Sequence, residues 1–165
     1  MDSDLRSRRN FLSFLSFAIG IFHLAAAWAS PPCVDGIGNE LQIDNSRILK
    51  FKSSTPNQFL SRGMISGVVQ DRYADRRSHY HFQVKIGPKP GDTLELIYNI
   101  HFGAINRIIP GMNVIACGDY ITSNAPTEVY EPSPDGAILH WLHYSPRPER
   151  HPHGWLELDG EVFGD

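Results

Sequence analysis

HYHFQVKIGPKPGDTLELIYNI, residues 79–100, decides the fold of this chain. On both sides of GPKPGD, residues 87–92, apolar side chains recur at every second position. Alternate side chains of a strand point to opposite faces, so the pattern predicts two strands, each with one apolar and one polar face. Glycine and proline predict a turn between them.

Three more segments are typical of strands and are separated by turn residues. A short irregular or helical connection, residues 101–107, separates the third strand from the fourth. Five strands with one helical piece at this place match the OB-type barrel, a five-stranded Greek-key architecture. The additional strands are predicted at residues 64–69, 113–121 and 137–143.

The two ends of the mature chain carry shorter elements. Asn45-Ser46 before RILKF predicts a short helix that ends by Pro56. Near the C-terminus, Asp159-Gly160 separates two short apolar runs and predicts a hairpin. The length of 165 residues favours one domain. We expect an N-terminal extension over residues 30–61 and an OB-like domain with the hairpin over residues 62–165.

Residues 1–29 have the order of a secretory signal: arginines, an apolar run, and the small-residue site Ala27-Trp28-Ala29. This predicts a signal helix, cleavage near Ala29, and a periplasmic or secreted protein. Ser7-Arg8-Arg9-Asn10-Phe11-Leu12 is similar to the twin-arginine consensus. An ordinary Sec signal and an uncleaved anchor stay open as alternatives.

Charge and cysteine content restrict the partners. The net charge of −3 gives no electrostatic support for nucleic-acid binding. We therefore expect a small ligand as the partner, and membrane contact only through the signal segment before its cleavage. Cys33 and Cys117 are the only cysteines, and an oxidising compartment favours a disulfide between them over two free thiols.

Histidine is the residue type that most suggests a site, since all but one of the eight histidines follow the signal segment. His79 and His81 share the polar face of one strand, whereas His140 and His143 meet only if their strand bulges or ends between them. Three alternatives stay open: a zinc or copper site, a metal-free ligand or acid–base site, and hydrogen bonds that hold the proline-rich tail on the barrel. The metal candidates are His79, His140, His143 and His151.

Arginines form a second group in two predicted loops. Three follow the first strand and two follow the fifth, near the strand 2 and 3 face that binds ligands in OB barrels. With aromatic side chains they predict an anion site with stacking surfaces; solvated loop charge is the alternative. The residues concerned are Arg72, Arg76, Arg77, Arg147, Arg150, Tyr73, Tyr80, Trp141 and Trp155.

Four short motifs resemble a known family. They are Ser78-His79, Tyr98-Asn99-Ile100, DGAILHWLH at residues 135–143, and RHPHGW at residues 150–155 followed by Asp159-Gly160. On these motifs the chain resembles the bacterial domain-of-unknown-function family 3465, which consists of small exported proteins of OB-like fold.

The resemblance implies a shared set of site residues but no activity. His81, His101 and His153 fall outside that set. Ser145 stands where the family pattern leads us to expect Asp, so a catalytic or metal-bridging acid is in doubt there. The set carried over position by position is His79, Asn99, His140, Trp141, His143, Arg150, His151, Gly154 and Trp155.

These observations favour a non-enzymatic periplasmic binding module for a small anion, a glycan or a metal. We expect residues 144–163 to fold back over the barrel and bring His140, His143, His151 and Arg150 near His79. The alternative function is a metal-assisted hydrolase of phosphoesters or glycans. Binding is preferred because hydrolysis needs a general base and no motif places a carboxylate for that role. A purely structural protein is a third alternative.

Overall fold

The computed structural model describes residues 30–164. The predicted signal segment, residues 1–29, lies outside the described residues. Among those that are described, no helix combines the length and apolar character needed to cross a membrane.

One α-helix and seven strands make up the described chain. A short 3-10 helix (Ile100–Phe102) follows the third strand. The other elements are α1 (Asn45–Ser54), β1 (Leu60–Arg72), β2 (His79–Lys85), β3 (Thr93–Asn99), β4 (Asn113–Thr122), β5 (Ala137–His140), β6 (Trp155–Leu158) and β7 (Glu161–Phe163).

The first five strands close into a barrel. β1 pairs antiparallel with β2 and with β4, β2 pairs antiparallel with β3, and β5 lies between β3 and β4, parallel to the former. The apolar faces of the strands point inward and form one core that includes Ile65, Phe82, Leu96, Tyr98 and Leu139. The predicted class, mainly β with a five-stranded barrel and one short helix, is confirmed.

The helix α1 packs against the barrel through Ile48 and Phe51. Ile48 is buried in the core, and the Phe51 ring lies 5.7 Å from the Tyr120 ring. Asp44, not Asn45 or Ser46, caps the helix, since its carboxylate accepts a hydrogen bond of 2.9 Å from the Arg47 backbone N–H.

Two strand boundaries differ from those predicted. β1 runs over Leu60–Arg72 because it pairs first with β4 and then, past an irregularity after Val69, with β2. Arg72 therefore ends a strand and does not lie in a loop. β5 ends at His140, three residues early, because Trp141 has a φ of 55° that a strand does not accept.

β5 and β6 share one edge of β4. β5 pairs with Asp119 to Thr122 and β6 with Val114 to Cys117, so residues 141–154 leave this edge and return to it as a loop. We call residues 141–154 the return loop. The hairpin of β6 and β7 has the predicted bounds, and its turn residues Asp159 and Gly160 both have positive φ, as a tight hairpin turn requires.

The predicted disulfide between Cys33 and Cys117 is present. It joins the N-terminal extension to the middle of β4. Trp155 is buried against it, across from Cys117 in the pairing of β4 with β6. The extension is thus fixed to the same strand that carries the return loop.

Candidate functional site: a histidine cluster around Trp141

The outer face of the barrel brings distant polar residues together. Cross-strand pairing places His79 opposite Asn99, and it places Asp119 opposite both His140 and Arg62. In each strand these side chains alternate with the core-facing apolar residues and therefore point away from the core. One face therefore carries imidazole, carboxylate and guanidinium groups from β1, β2, β4 and β5.

The end of β5 brings His143 to the same place as His140. A continued strand would point them to opposite faces, but the positive φ of Trp141 breaks the alternation. Two glycines then allow the return loop to lie against β4. A Cβ on Gly118 would stand 2.5 Å from the His140 carbonyl oxygen, and one on Gly154 would overlap the Trp141 carbonyl oxygen.

Three imidazoles contact the Trp141 indole, and two more join them through His140. The His79 ring centroid lies 5.5 Å from that of His140 and 6.4 Å from that of His81. The Trp141 ring lies 5.6 Å from His140, 5.4 Å from His143, and stacks on His151 at 4.0 Å. We call His79, His81, His140, His143 and His151, with Trp141, the histidine cluster.

Backbone carbonyls orient two of the imidazoles. Nδ1 of His79 lies 2.7 Å from the Arg77 oxygen, and Nδ1 of His143 lies 2.7 Å from the Tyr144 oxygen. A carbonyl oxygen only accepts, so Nδ1 must carry the proton in both rings. In their neutral form, Nε2 then holds a free lone pair.

Buried carboxylates orient two more imidazoles of the cluster. Nδ1 of His81 lies 2.7 Å from Glu95 Oε1, and Nδ1 of His151 lies 2.9 Å from Asp119 Oδ2. Asp119 also accepts a hydrogen bond of 2.9 Å from Arg62 Nη1. Burial is the largest single effect on the pKa of Glu95 and raises it, but the hydrogen bonds from His81 and Ser133 and the charges of His81 and Arg76 together lower it. This carboxylate therefore accepts the Nδ1 proton as well.

The Nε2 atoms of the cluster are unpaired within residues 30–164, and His140 has no hydrogen-bond partner there at either nitrogen. Among the described residues, the one fully buried side-chain nitrogen or oxygen without a partner is Trp155 Nε1. Each unpaired nitrogen of the cluster therefore retains some accessible surface, although His81 and His143 are largely buried. A ligand at this surface meets a group of hydrogen-bond acceptors.

Burial and neighbouring imidazoles keep the rings of His140 and His143 neutral. Burial, followed by the neighbouring imidazoles of His79 and His143, lowers the pKa of His140 to about 4. Burial is also the main cause that lowers the pKa of His143. Both rings are uncharged at neutral pH, and His143, whose Nδ1 donates to the Tyr144 oxygen, accepts at Nε2.

We expect the free energy of unfolding to decrease as the pH is lowered, because of His140. Between its unfolded value of 6.5 and its folded pKa of about 4, the unfolded chain binds a proton that the folded chain does not. The stabilisation is complete above pH 6.5 and is lost as pH falls to about 4. The total over this range is roughly 3 kcal/mol. Urea unfolding from pH 7.5 to 4.5 measures it.

His140→Asn should reduce the pH dependence of the free energy of unfolding. The pH dependence that remains should be due to His143. The exposed His101 is the matched control, and His101→Asn should leave the slope unchanged. The carboxylate of Glu95 affects stability mainly at pH values below its ordinary pKa of 4.5, and therefore outside this pH range. Equal slopes in all three proteins would contradict the burial of His140.

The structure brings most of the histidines singled out by the sequence together, but it places three other candidates differently. Asn99 lies beside His79 and uses its side-chain oxygen to accept a 3.0 Å hydrogen bond from the His101 backbone N–H. Arg150 is exposed on the return loop. Trp155 is buried at the disulfide and presents no surface to a ligand.

The arginines and tyrosines of the predicted anion site have separate roles. Arg72 pairs with Asp75 at 2.8 Å and lies 4.9 Å from the Tyr80 ring centroid. Arg77 lies 5.1 Å from the exposed Tyr130 ring. In contrast, Arg76 approaches the histidine cluster itself, because its Nη2 atom lies 3.4 Å from Glu95 Oε1.

The metal candidates His79, His140, His143 and His151 all belong to the cluster. Over residues 30–164, however, no group of three or more His, Cys, Asp or Glu side chains has an arrangement that could hold a metal ion. The carbonyl and carboxylate partners at Nδ1 are nevertheless of the kind that orients metal-binding imidazoles.

Sequence reasoning missed three charged residues of the site: Arg62, Glu95 and Asp119. Each is almost fully buried and each is bonded to the cluster or to the return loop. A signal was present, because Glu95 lies between the core residues Leu94 and Leu96. A buried charged residue in an apolar strand needs a partner. Because side chains alternate along a strand, Glu95 points away from the core, to the face that carries the histidines.

No protein-family model matches the chain, and no curated protein matches it. The resemblance to the domain-of-unknown-function family therefore stays a prediction, and the arguments about function rest on the geometry of the cluster.

Proposed function

We propose that the chain is an exported, non-enzymatic binding module of the OB type whose histidine cluster binds a glycan. The observation that carries this proposal is the set of unpaired imidazole nitrogens in the histidine cluster, each with some accessible surface. Neutral imidazole nitrogens accept hydrogen bonds from hydroxyl groups. A half-buried indole in their middle offers apolar surface to a sugar ring.

A glycan fits these groups better than the two other ligand classes. A free anion needs donors, whereas a neutral imidazole whose Nδ1 proton is already engaged presents only a lone pair at Nε2. A metal needs at least three convergent ligands, and residues 30–164 present no such group. The strand pairing also supports the OB assignment, and the cluster lies on the side of β2 and β3, where OB barrels bind oligosaccharides.

A hydrolase is the second candidate, because two imidazoles have a carboxylate at Nδ1. An imidazole held in this way can accept a proton at Nε2. Neither carboxylate is itself free to act as a base: Asp119 is engaged by Arg62 and His151, and Glu95 by His81 and Arg76. Both cysteines are in the disulfide and supply no nucleophile. Binding remains the preferred function.

An array of neutral and acidic oligosaccharides tests the proposal, with affinities then measured by calorimetry. We expect Trp141→Ala and His79→Ala to lower the affinity at least about tenfold. His101→Ala, at an exposed histidine outside the cluster, should not change it. Absence of binding to every glycan would overturn the proposal. Stoichiometric zinc or copper that is lost in His140→Ala would replace it with the metal-assisted alternative.

A further inference from the structure

Arg76 is held directly beside the histidine cluster. Its backbone and that of His79 exchange two hydrogen bonds, of 2.9 and 3.2 Å, in an isolated bridge before β2. Its guanidinium approaches the same Glu95 oxygen that accepts the His81 Nδ1 proton. A cation therefore lies at the edge of the histidine cluster, beside His81.

The Arg76 guanidinium has most of its donors free. Its side chain is 56% exposed, whereas Glu95 is 2% exposed, and the 3.4 Å contact between them is long for a charge-assisted hydrogen bond. No other hydrogen bond of this side chain occurs within the part of the chain that is described. A guanidinium carries five N–H donors in a planar fork, so several point to solvent.

The arginines near Arg76 in the chain, and the arginine of the buried ion pair, are already engaged. Arg72 bonds both oxygens of Asp75, at 2.8 and 3.0 Å. Arg77 lies over the Tyr130 ring, and Arg62 is buried among Asp119, Cys117 and backbone oxygens. Of these four arginines, Arg76 is the one with donors free for a ligand.

We infer that the glycan bound by the cluster is acidic and that Arg76 binds its anionic group. This inference rests on the proposed function. Sugar hydroxyls donate to the Nε2 atoms, while a carboxylate or sulfate on the same sugar accepts two hydrogen bonds from the guanidinium fork. Arg76 lies between the buried Glu95 and solvent, so the bound anion faces the cation and not the protein's own carboxylate.

Matched glycans test this assignment: trigalacturonic acid, its methyl ester, which has the same backbone without charge, and a sulfated analogue. We expect the wild-type protein to bind the acid at least tenfold more tightly than the ester, and this preference to weaken with salt. Arg76→Gln should bring the two affinities together and leave binding of the ester unchanged. Arg72→Gln, at a paired arginine of the same segment, should keep the preference.

The outcomes separate the two proposals. Equal affinity for acid and ester in the wild type, or a preference that survives in Arg76→Gln, would overturn the role of Arg76 and leave the glycan site intact. Binding of the sulfated analogue in place of the carboxylate would support the acidic class and identify its anion. Failure of every glycan in the array and in this series would overturn the proposed function, and the assignment of Arg76 would fall with it.

Discussion

Arg62→Met should lower the free energy of unfolding by about 3 to 5 kcal/mol, because it leaves the Asp119 carboxylate buried without its cation. The two side chains are 6% and 7% exposed and lie 2.9 Å apart. Arg62 also donates to the backbone oxygens of Val34 and His153, so the change removes one contact of the barrel with the N-terminal extension and one with the return loop. Chemical denaturation at pH 7.5 measures the loss.

Two comparisons isolate the ion pair. Arg72→Met removes a pair that is 34% and 49% exposed, and it should cost less than about 1 kcal/mol. The double variant Arg62→Met/Asp119→Leu should be more stable than Arg62→Met alone, because no uncompensated charge remains. A small loss in Arg62→Met, equal to that in Arg72→Met, would show that Asp119 is not buried as described.

Gly154→Ala should lower the free energy of unfolding by about 3 kcal/mol or more. The added methyl group would overlap the Trp141 carbonyl oxygen and lie 2.7 Å from the Cys117 carbonyl oxygen. Both are backbone atoms, and Cys117 is held in β4 and in the disulfide, so neither can move aside alone. The variant should also lose glycan affinity, because relief of the overlap displaces Trp141.

Gly36→Ala is the matched control, since nothing lies within 4 Å of its added Cβ. We expect a change within about 0.5 kcal/mol and unaltered binding. Urea unfolding followed by tryptophan fluorescence compares the two alanine variants. If Gly154→Ala were as stable as Gly36→Ala, the return loop could not lie against β4 as the structure places it.

The barrel could be predicted because its information is local. Alternation of apolar residues on either side of GPKPGD defines β2 and β3, and Asp159-Gly160 gives the hairpin bounds of β6 and β7. The end of β5 could not be read in the same way, because the positive φ of Trp141 is imposed by the loop that follows it.

The histidine cluster could be predicted only in part. The residue types and the sharing of a face by His79 and His81 are visible in the sequence, yet the resemblance set left His81 aside, although it is bonded to buried Glu95. The link between Arg62 and the His153 carbonyl joins positions 91 apart. Such a contact depends on how the return loop packs, and no short motif encodes it.

The central claim is that imidazoles distant in the sequence form one cluster with unpaired Nε2 acceptors. Nitrogen-detected NMR of the histidine rings tests this claim most directly. At pH 7.5 we expect a proton on Nδ1 of both His79 and His143, and a neutral ring for His143. We also expect nuclear Overhauser contacts between His79 and His140 and between His151 and Trp141. Protonation of His79 and His143 at Nε2, with no contact between these rings, would contradict the account.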